Sequence, residues 1–228
     1  MSFIVKNTTF LKPLDLIAPH SCRGCGALGE ALCECCKNNI ILSHANFCPL
    51  CKTNTPNGLC KTHPNLPPIF VISHRNTILG DLIHDFKYNS TRAIGAKLAE
   101  ILDQTLPKFD GDINIVPLPT ITRHIRERGL DHTKYIAKHL AKLRGKNYQV
   151  APILERAKNT IQVGKDRKAR LAQAKTAYEI SKKAELNPTV TYLLLDDVWT
   201  TGASMLAATK KLQQAGASKI LVVVLAVS

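Results

Sequence analysis

Toward the end of the chain an apolar run, Leu193-Leu194-Leu195, meets two adjacent carboxylates, Asp196 and Asp197, and then a small hydroxyl-rich turn through Val198, Trp199, Thr200, Thr201, Gly202, Ala203 and Ser204. The run has the texture of a parallel strand buried on both faces. Adjacent side chains on a strand point to opposite faces, but at its carboxyl end both acids can turn into the crevice where open α/β sheets bind ligands. Carboxylates placed there accept hydrogen bonds from sugar hydroxyls. The following turn offers successive backbone N–H groups, the hydroxyls of Thr200, Thr201 and Ser204, and the positive end of a helix starting near Ala203. These groups make a cradle for a phosphate. An acidic pair alone more simply ends a strand and caps a helix, so it is the whole string that points to a ligand.

All eight cysteines lie between Cys22 and Cys60, at the other end of the chain. They form knuckles at Cys22/Cys25, Cys33/Cys36 and Cys48/Cys51, followed by Cys60/His63 with the same two-residue gap. Two ligands so spaced face one tetrahedral ion, and two knuckles complete a Cys₄ or Cys₃His site. The eight ligands suffice for two Zn²⁺, with Cys35 left over. Sequential pairing leaves 7 and 8 residues between knuckles, whereas interleaved pairing leaves 22 and 23, closer to the usual ribbon spacing. His20 and His44 have no partner at knuckle spacing and read as surface residues. Disulfides compete with zinc as an account of the cysteines. Met1 to Lys6 shows no secretory signal, which implies a reducing, cytoplasmic setting and favours the metal. No apolar stretch approaches the roughly 20 residues of a membrane span.

Pro64, Pro67 and Pro68 separate this region from a stretch of alternating strand and helix signals. A domain boundary is expected there, with a zinc-ribbon-like module over residues 1–66 and an α/β domain over 67–228. Strands are predicted at Ile69–Ser73, Ile113–Val116, Tyr192–Leu195 and Ile220–Val227. Helices are predicted at Ile78–Phe86, Ile94–Leu106, Lys134–Leu143 and Ser204–Ala215. The net charge is +14, and Arg123 to Lys183 holds 17 Lys and Arg against 5 Asp and Glu, a net of +12. Such concentration suits a polyanionic partner or a merely solvated face. Arg123, Arg126 and Arg128 follow the strand end at Pro117-Leu118-Pro119-Thr120, where guanidinium forks suit phosphates. Lys165, Arg167 and Arg170 could close over pyrophosphate or line a track for single-stranded DNA. His124, His132 and His139 read as surface residues, since no fixed spacing makes any of them a base.

The string from Leu193 to Ser204 resembles the phosphoribosyl-pyrophosphate signature of type I phosphoribosyltransferases. That resemblance implies a mainly parallel sheet flanked by helices, with Asp196 and Asp197 on the ribose hydroxyls and Thr200, Thr201, Gly202, Ala203 and Ser204 around the ribose phosphate. Val116-Pro117-Leu118-Pro119, the Arg-Glu-Arg-Gly run at Arg126–Gly129, Phe86-Lys87-Tyr88, Thr160 and Gln162 after Glu155-Arg156, Arg167-Lys168-Ala169-Arg170 and the cysteine knuckles are together similar to the ComF family. The resemblance spans nearly the whole chain. It implies a competence-associated protein that binds phosphoribosyl pyrophosphate with Mg²⁺, Lys87 and Arg126 among the ligand contacts. It also implies handling of single-stranded DNA during natural transformation through Arg123, Arg128, Lys165, Arg167 and Arg170. A helicase-like protein is the implied partner, docked by the zinc knuckles. The enzymatic alternative is transfer of ribosyl phosphate to an acceptor with release of pyrophosphate. Two departures stand out: Leu130-Asp131-His132 where the family commonly has Phe-Asn-Gln, and His63 where it has Cys.

Overall fold

A computed structural model describes residues 21–89, 92–157 and 177–228. Five strands form one parallel sheet in the order β1 (Ile69–His74), β7 (Lys219–Val227), β6 (Thr191–Trp199), β2 (Ile113–Pro117), β3 (Tyr148–Val150). The fold is thus α/β with a parallel sheet flanked by helices, as the sequence predicts. Parallel neighbours need crossovers, and the helices supply them. α2 (Ile78–Tyr88) and α3 (Arg92–Thr105) link β1 to β2, α4 (Thr122–Arg128) and α5 (His132–Arg144) link β2 to β3, and α6 (Ala203–Gln214) links β6 to β7.

Alternate residues of each central strand enter two separate apolar layers, because side chains alternate across a strand. Phe70, Ile72, Ile113, Ile115, Leu193, Leu195, Val223 and Leu225 pack with α2, α3 and α5. Val71, Val116, Tyr192, Leu194, Val222 and Val224 pack with α6 and with a two-stranded antiparallel sheet of β4 (Leu154–Arg156) and β5 (Tyr178–Ile180). With both faces covered, the strands read as unbroken apolar runs. Gly95 lets α3 close on α2: a Cβ there would meet the Phe86 ring at 2.6 Å.

The boundary expected near residue 66 falls in the loop before β1. The apolar layer under α2 and α3 nonetheless runs across it and takes in Cys22, Ala31, Leu32 and Cys36. α1 (Glu34–Leu42), which the sequence pattern did not predict, lies against α3. Its Lys37, 5% exposed, reaches Glu34 and Glu100 at 2.8 Å each, and Lys97 meets Glu34 at 2.7 Å. Arg23 bonds Asp85 on α2. Among the described residues no helix is long and apolar enough to cross a membrane.

Leu32 is fully buried, so Leu32→Ala should cost about 2–5 kcal/mol. Trp199, the one tryptophan, sits in the opposite layer and reports on the sheet. The denaturation midpoint read by its fluorescence should fall in the variant. An unchanged midpoint would show that the cysteine segment folds apart from the sheet.

Candidate functional site

β6 runs four residues past its last pairing with β2. Pairing with β2 stops at Pro117↔Leu195, while pairing with β7 continues through Asp196↔Val224 to Trp199↔Val227. The strand therefore does not end at Leu195 as its apolar run predicts. Aspartate is poor in strands by propensity, and here the ladder to β7 overrides that preference. Beside the unpaired edge the chain turns away at Leu118, whose N–H still donates to the Leu195 carbonyl at 2.8 Å. Asp196 and Asp197 remain in extended strand, one directed to each face of the sheet, and both line a 170 Å³ pocket at its carboxyl edge.

Asp197 meets Lys87 Nζ, in the last turn of α2, at 2.8 Å. Asp196 lies on the other face, on the side of Arg156 and Tyr178. Burial and then the Asp197 charge push its carboxyl up to about 8. Arg156 is held by donating from Nε to the Pro119 carbonyl at 3.1 Å and from Nη2 to Tyr178 Oη at 3.3 Å, its guanidinium 5.2 Å from that ring's centre. Arg128, at the end of α4, lies 5.0 Å over the Tyr88 ring and also lines the pocket. Ser204, in the first turn of α6, completes that side. The helix's leading N–H groups have no intrahelical partners and its dipole favours an anion.

Of the residues the sequence assigns to ligand binding, Asp196, Asp197, Lys87 and Ser204 share the pocket, while Thr200 and Thr201 are exposed on the turn beside it. Gly202 is buried with φ +74°, and a Cβ there would strike the Trp199 ring at 2.1 Å. Glycine at this turn thus answers both the left-handed backbone and the close approach of Trp199, which is 2% exposed. Ala203 starts α6. Arg126 is exposed on α4 and does not line the pocket. Arg123 is exposed and paired with Glu127 at 2.7 Å. Lys165, Arg167 and Arg170 lie outside the described residues, as do Thr160, Gln162 and His20. Arg156 enters the sequence reading only within the Glu155-Arg156 piece of the resemblance, with no ligand role; the pairing of β5 beside β4 sets it against Tyr178 at the pocket.

His132 corrects the sequence reading outright. Expected on the surface, it is 2% exposed, lies edge-on to Phe86 at 4.6 Å, and lines the pocket. Asp131 before it caps α5, accepting from the Lys134 N–H at 3.2 Å, and this cap turns His132 inward. His139 and His124 stay partly exposed.

The cysteines form two sets, each able to hold a tetrahedral metal ion such as Zn²⁺: Cys22, Cys25, Cys33 and Cys36, then Cys48, Cys51, Cys60 and His63. Zn–S bonds of about 2.3 Å put neighbouring sulfurs about 3.8 Å apart. Cys25 and Cys33 stand at 3.7 Å and Cys51 and Cys60 at 3.5 Å, while His63 Nδ1 is 3.5 Å from Cys60 and 3.6 Å from Cys48. A disulfide needs about 2.05 Å, and all eight cysteines are free. Pairing is sequential, against the interleaving that ribbon spacing favours. A tight turn carries each first knuckle, with Gly26 N–H on the Cys22 carbonyl and Lys52 N–H on the Cys48 carbonyl, both closely hydrogen-bonded. Each short linker then closes its own site, and α1 intervenes between the two. Burial pushes the Cys22 thiol up, but backbone N–H groups of Cys33, Cys25 and Gly24 outweigh it and bring it down to about 6. The Thr53 side chain and backbone likewise bring Cys51 to about 6. Such donors favour the thiolate that binds metal. Cys35 is exposed and outside both sets, and His44 bonds the Ile72 carbonyl through Nδ1 at 3.1 Å.

Comparison with protein-family models and with curated proteins finds no match.

Metal analysis of the purified chain should find two ions. Cys35→Ser should keep both, whereas Cys48→Ser should lose one and lower the melting temperature. A count of one, or release of neither on chelation, would contradict the two-site geometry. For Asp196 the sign follows from its raised pKa. The folded state holds a proton that the unfolded chain has released between about pH 4 and 8, so ionising this carboxyl lowers stability as pH rises through that window. Asp196→Asn should therefore gain stability over the native chain as pH rises from 5 to 8.5 in urea unfolding. A pH-independent difference would contradict the assigned environment.

Proposed function

We propose that the pocket binds phosphoribosyl pyrophosphate together with Mg²⁺, and that the chain is a ComF-like protein that handles single-stranded DNA in natural transformation. The observation that carries the first part is the convergence of Asp196 and Asp197 with Lys87, Arg128, Arg156 and Ser204 in one pocket at the carboxyl edge of a parallel sheet. The Asp197 carboxylate and the Asp196 carboxyl group both suit vicinal ribose hydroxyls, and fixed cations suit phosphate oxygens. In this reading Asp196 and Asp197 hold the ribose, the turn from Thr200 to Ser204 wraps its phosphate at the start of α6, and Arg128 and Arg156 face the pyrophosphate. Mg²⁺ would arrive with the ligand and offset the charge of its oxygens, with Asp196 and Asp197 the side chains placed to hold it. Lys87 holds Asp197 in place until the ligand's hydroxyls and phosphates compete for both.

The DNA-handling part rests on the resemblance and on the +12 concentrated between Arg123 and Lys183. Exposed Arg123 fits it, and the exposed Leu28, Leu50 and Leu59 near the cysteine turns are apolar side chains that a helicase-like partner would cover. If the pocket turns its ligand over, charge leaving with pyrophosphate is stabilised by Arg128 and Arg156, and the acceptor enters from the opposite side of the ribose.

Calorimetry with phosphoribosyl pyrophosphate and Mg²⁺ should show saturable binding that Asp196→Ala with Asp197→Ala abolishes. Unchanged binding in that variant would sink the site. Single-stranded DNA affinity should fall steeply with salt, log K dropping by about 0.7 per neutralised phosphate for each unit of log salt concentration, and should weaken in an Arg167→Ala, Arg170→Ala protein. A flat salt response would remove the DNA reading. Release of pyrophosphate on adding nucleobase acceptors would assign transferase activity.

A further inference from the structure

Buried polar atoms in a native fold are nearly always paired, so an orphan calls for an explanation. Among the described residues, few buried side chains have a polar atom without a hydrogen-bond partner. Glu30 and Arg144 are accounted for by ion pairs with Lys97 and Asp103. Thr209 lies on α6 away from the pocket. His132 is different: both ring nitrogens are orphaned, the residue is 2% exposed, and it lines the pocket that holds Asp196 and Asp197.

Its surroundings limit what can satisfy it. The Phe86 ring, 4.6 Å away and nearly perpendicular, fills one side without offering a hydrogen-bond partner. The Phe86 backbone comes close enough to the ring to act as a weak hydrogen-bond partner that favours its protonated form, Arg128, Asp197 and Lys87 act on it through their charges, and no group meets either ring nitrogen in good hydrogen-bond geometry. Lys87 is engaged by Asp197 and Arg128 by Tyr88. His132 is also the first residue of α5, a 13-residue helix whose first two residues, His132 and Thr133, line the same cavity, so the positive end of its dipole lies at the cavity's edge. A helix start, two cations and a buried imidazole therefore surround one space.

We propose that His132 contacts the bound ligand directly, donating a hydrogen bond from its ring to a phosphate oxygen held between Lys87 and Arg128. This rests on reading the pocket as a phosphate site and adds to it a contact from α5, on the far side of the sheet from the α6 turn. Burial, the largest influence on the ring, holds its pKa below the usual value, so the imidazole is neutral and presents one donor and one acceptor. The donor serves the oxyanion, and the second nitrogen is left to accept from a ligand hydroxyl. In the free protein the unpaired ring costs stability, which the ligand offsets when it binds.

The test uses the full chain with Mg²⁺ and, separately, phosphoribosyl pyrophosphate and inorganic pyrophosphate. His132→Leu, close in volume but unable to hydrogen-bond, should weaken binding about ten-fold or more. His132→Gln, which keeps a donor and an acceptor, should recover most of the loss. On the native chain with labelled histidine, the His132 ring-nitrogen resonances should move when either probe is added. Native affinity in His132→Leu, or ring resonances that stay put while the probe binds, would overturn the contact, and the second readout holds even if the leucine variant folds poorly. Loss of binding in the Asp196→Ala, Asp197→Ala protein alongside native binding in His132→Leu would leave the pocket reading standing without the contact. No binding of either probe to the native chain would overturn both.

Discussion

Backbone pairing between β6 and β7 carries the molecule's chemistry past the point where its other neighbour stops. Because β2 turns away after Pro117 while β7 keeps pairing to Val227, residues 196–199 are held extended with one edge open. Two adjacent carboxylates in a strand must point to opposite faces. Held at the rim, they reach one cavity from both faces, so that Asp197 meets α2 and Asp196 meets β4 and β5. Had the strand ended at Leu195, the same residues would sit in a mobile turn with nothing to set their spacing. Trp199 then anchors the far end, and its ring leaves room for no side chain at position 202, which places the start of α6 against the pocket.

The cysteine segment bears on this arrangement through α2 and α3. Arg23, beside the first knuckle, bonds Asp85, two residues before Lys87. α1, which starts within the Cys33/Cys36 knuckle, is held to α3 by the buried Lys37 and by Lys97, with Glu34 and Glu100. Breaking one partner of a buried charge costs far more than the pair contributes, so these contacts specify how the segment sits rather than adding much net stability. A metal in the first site would fix the turn that carries Arg23, and a segment with few strands of its own would draw folding energy from that ion.

Much of this was legible in the residues themselves. Alternating apolar runs and amphipathic helices marked the central strands and α2, α3, α5 and α6 to within a few residues, because burial on both faces of a parallel sheet leaves a strong periodic trace. The knuckle spacing marked all eight residues of the two sets that are able to hold a metal ion. What escaped were the short elements, α1, α4 and β3 to β5, whose apolar content is too small for periodicity to register. The role of Arg156 escaped because it depends on a strand, β5, that returns from far along the chain. His132 was misread because one inward turn of helix, set by the Asp131 cap, separates a surface histidine from a buried one.

The sequence alone determined the chemistry available: paired carboxylates before a glycine turn, eight thiolate or imidazole ligands in knuckles, and a central excess of cations. It did so because ligand type and local spacing are properties of neighbouring residues. Tertiary structure alone decided which of these groups meet. Sequential closure of the metal sites, the choice of Arg128 and Arg156 over Arg126 to line the pocket, and the burial of His132 all depend on how distant segments stack across one sheet. Such contacts are set by packing and backbone pairing between elements far apart in the chain, which no local pattern records.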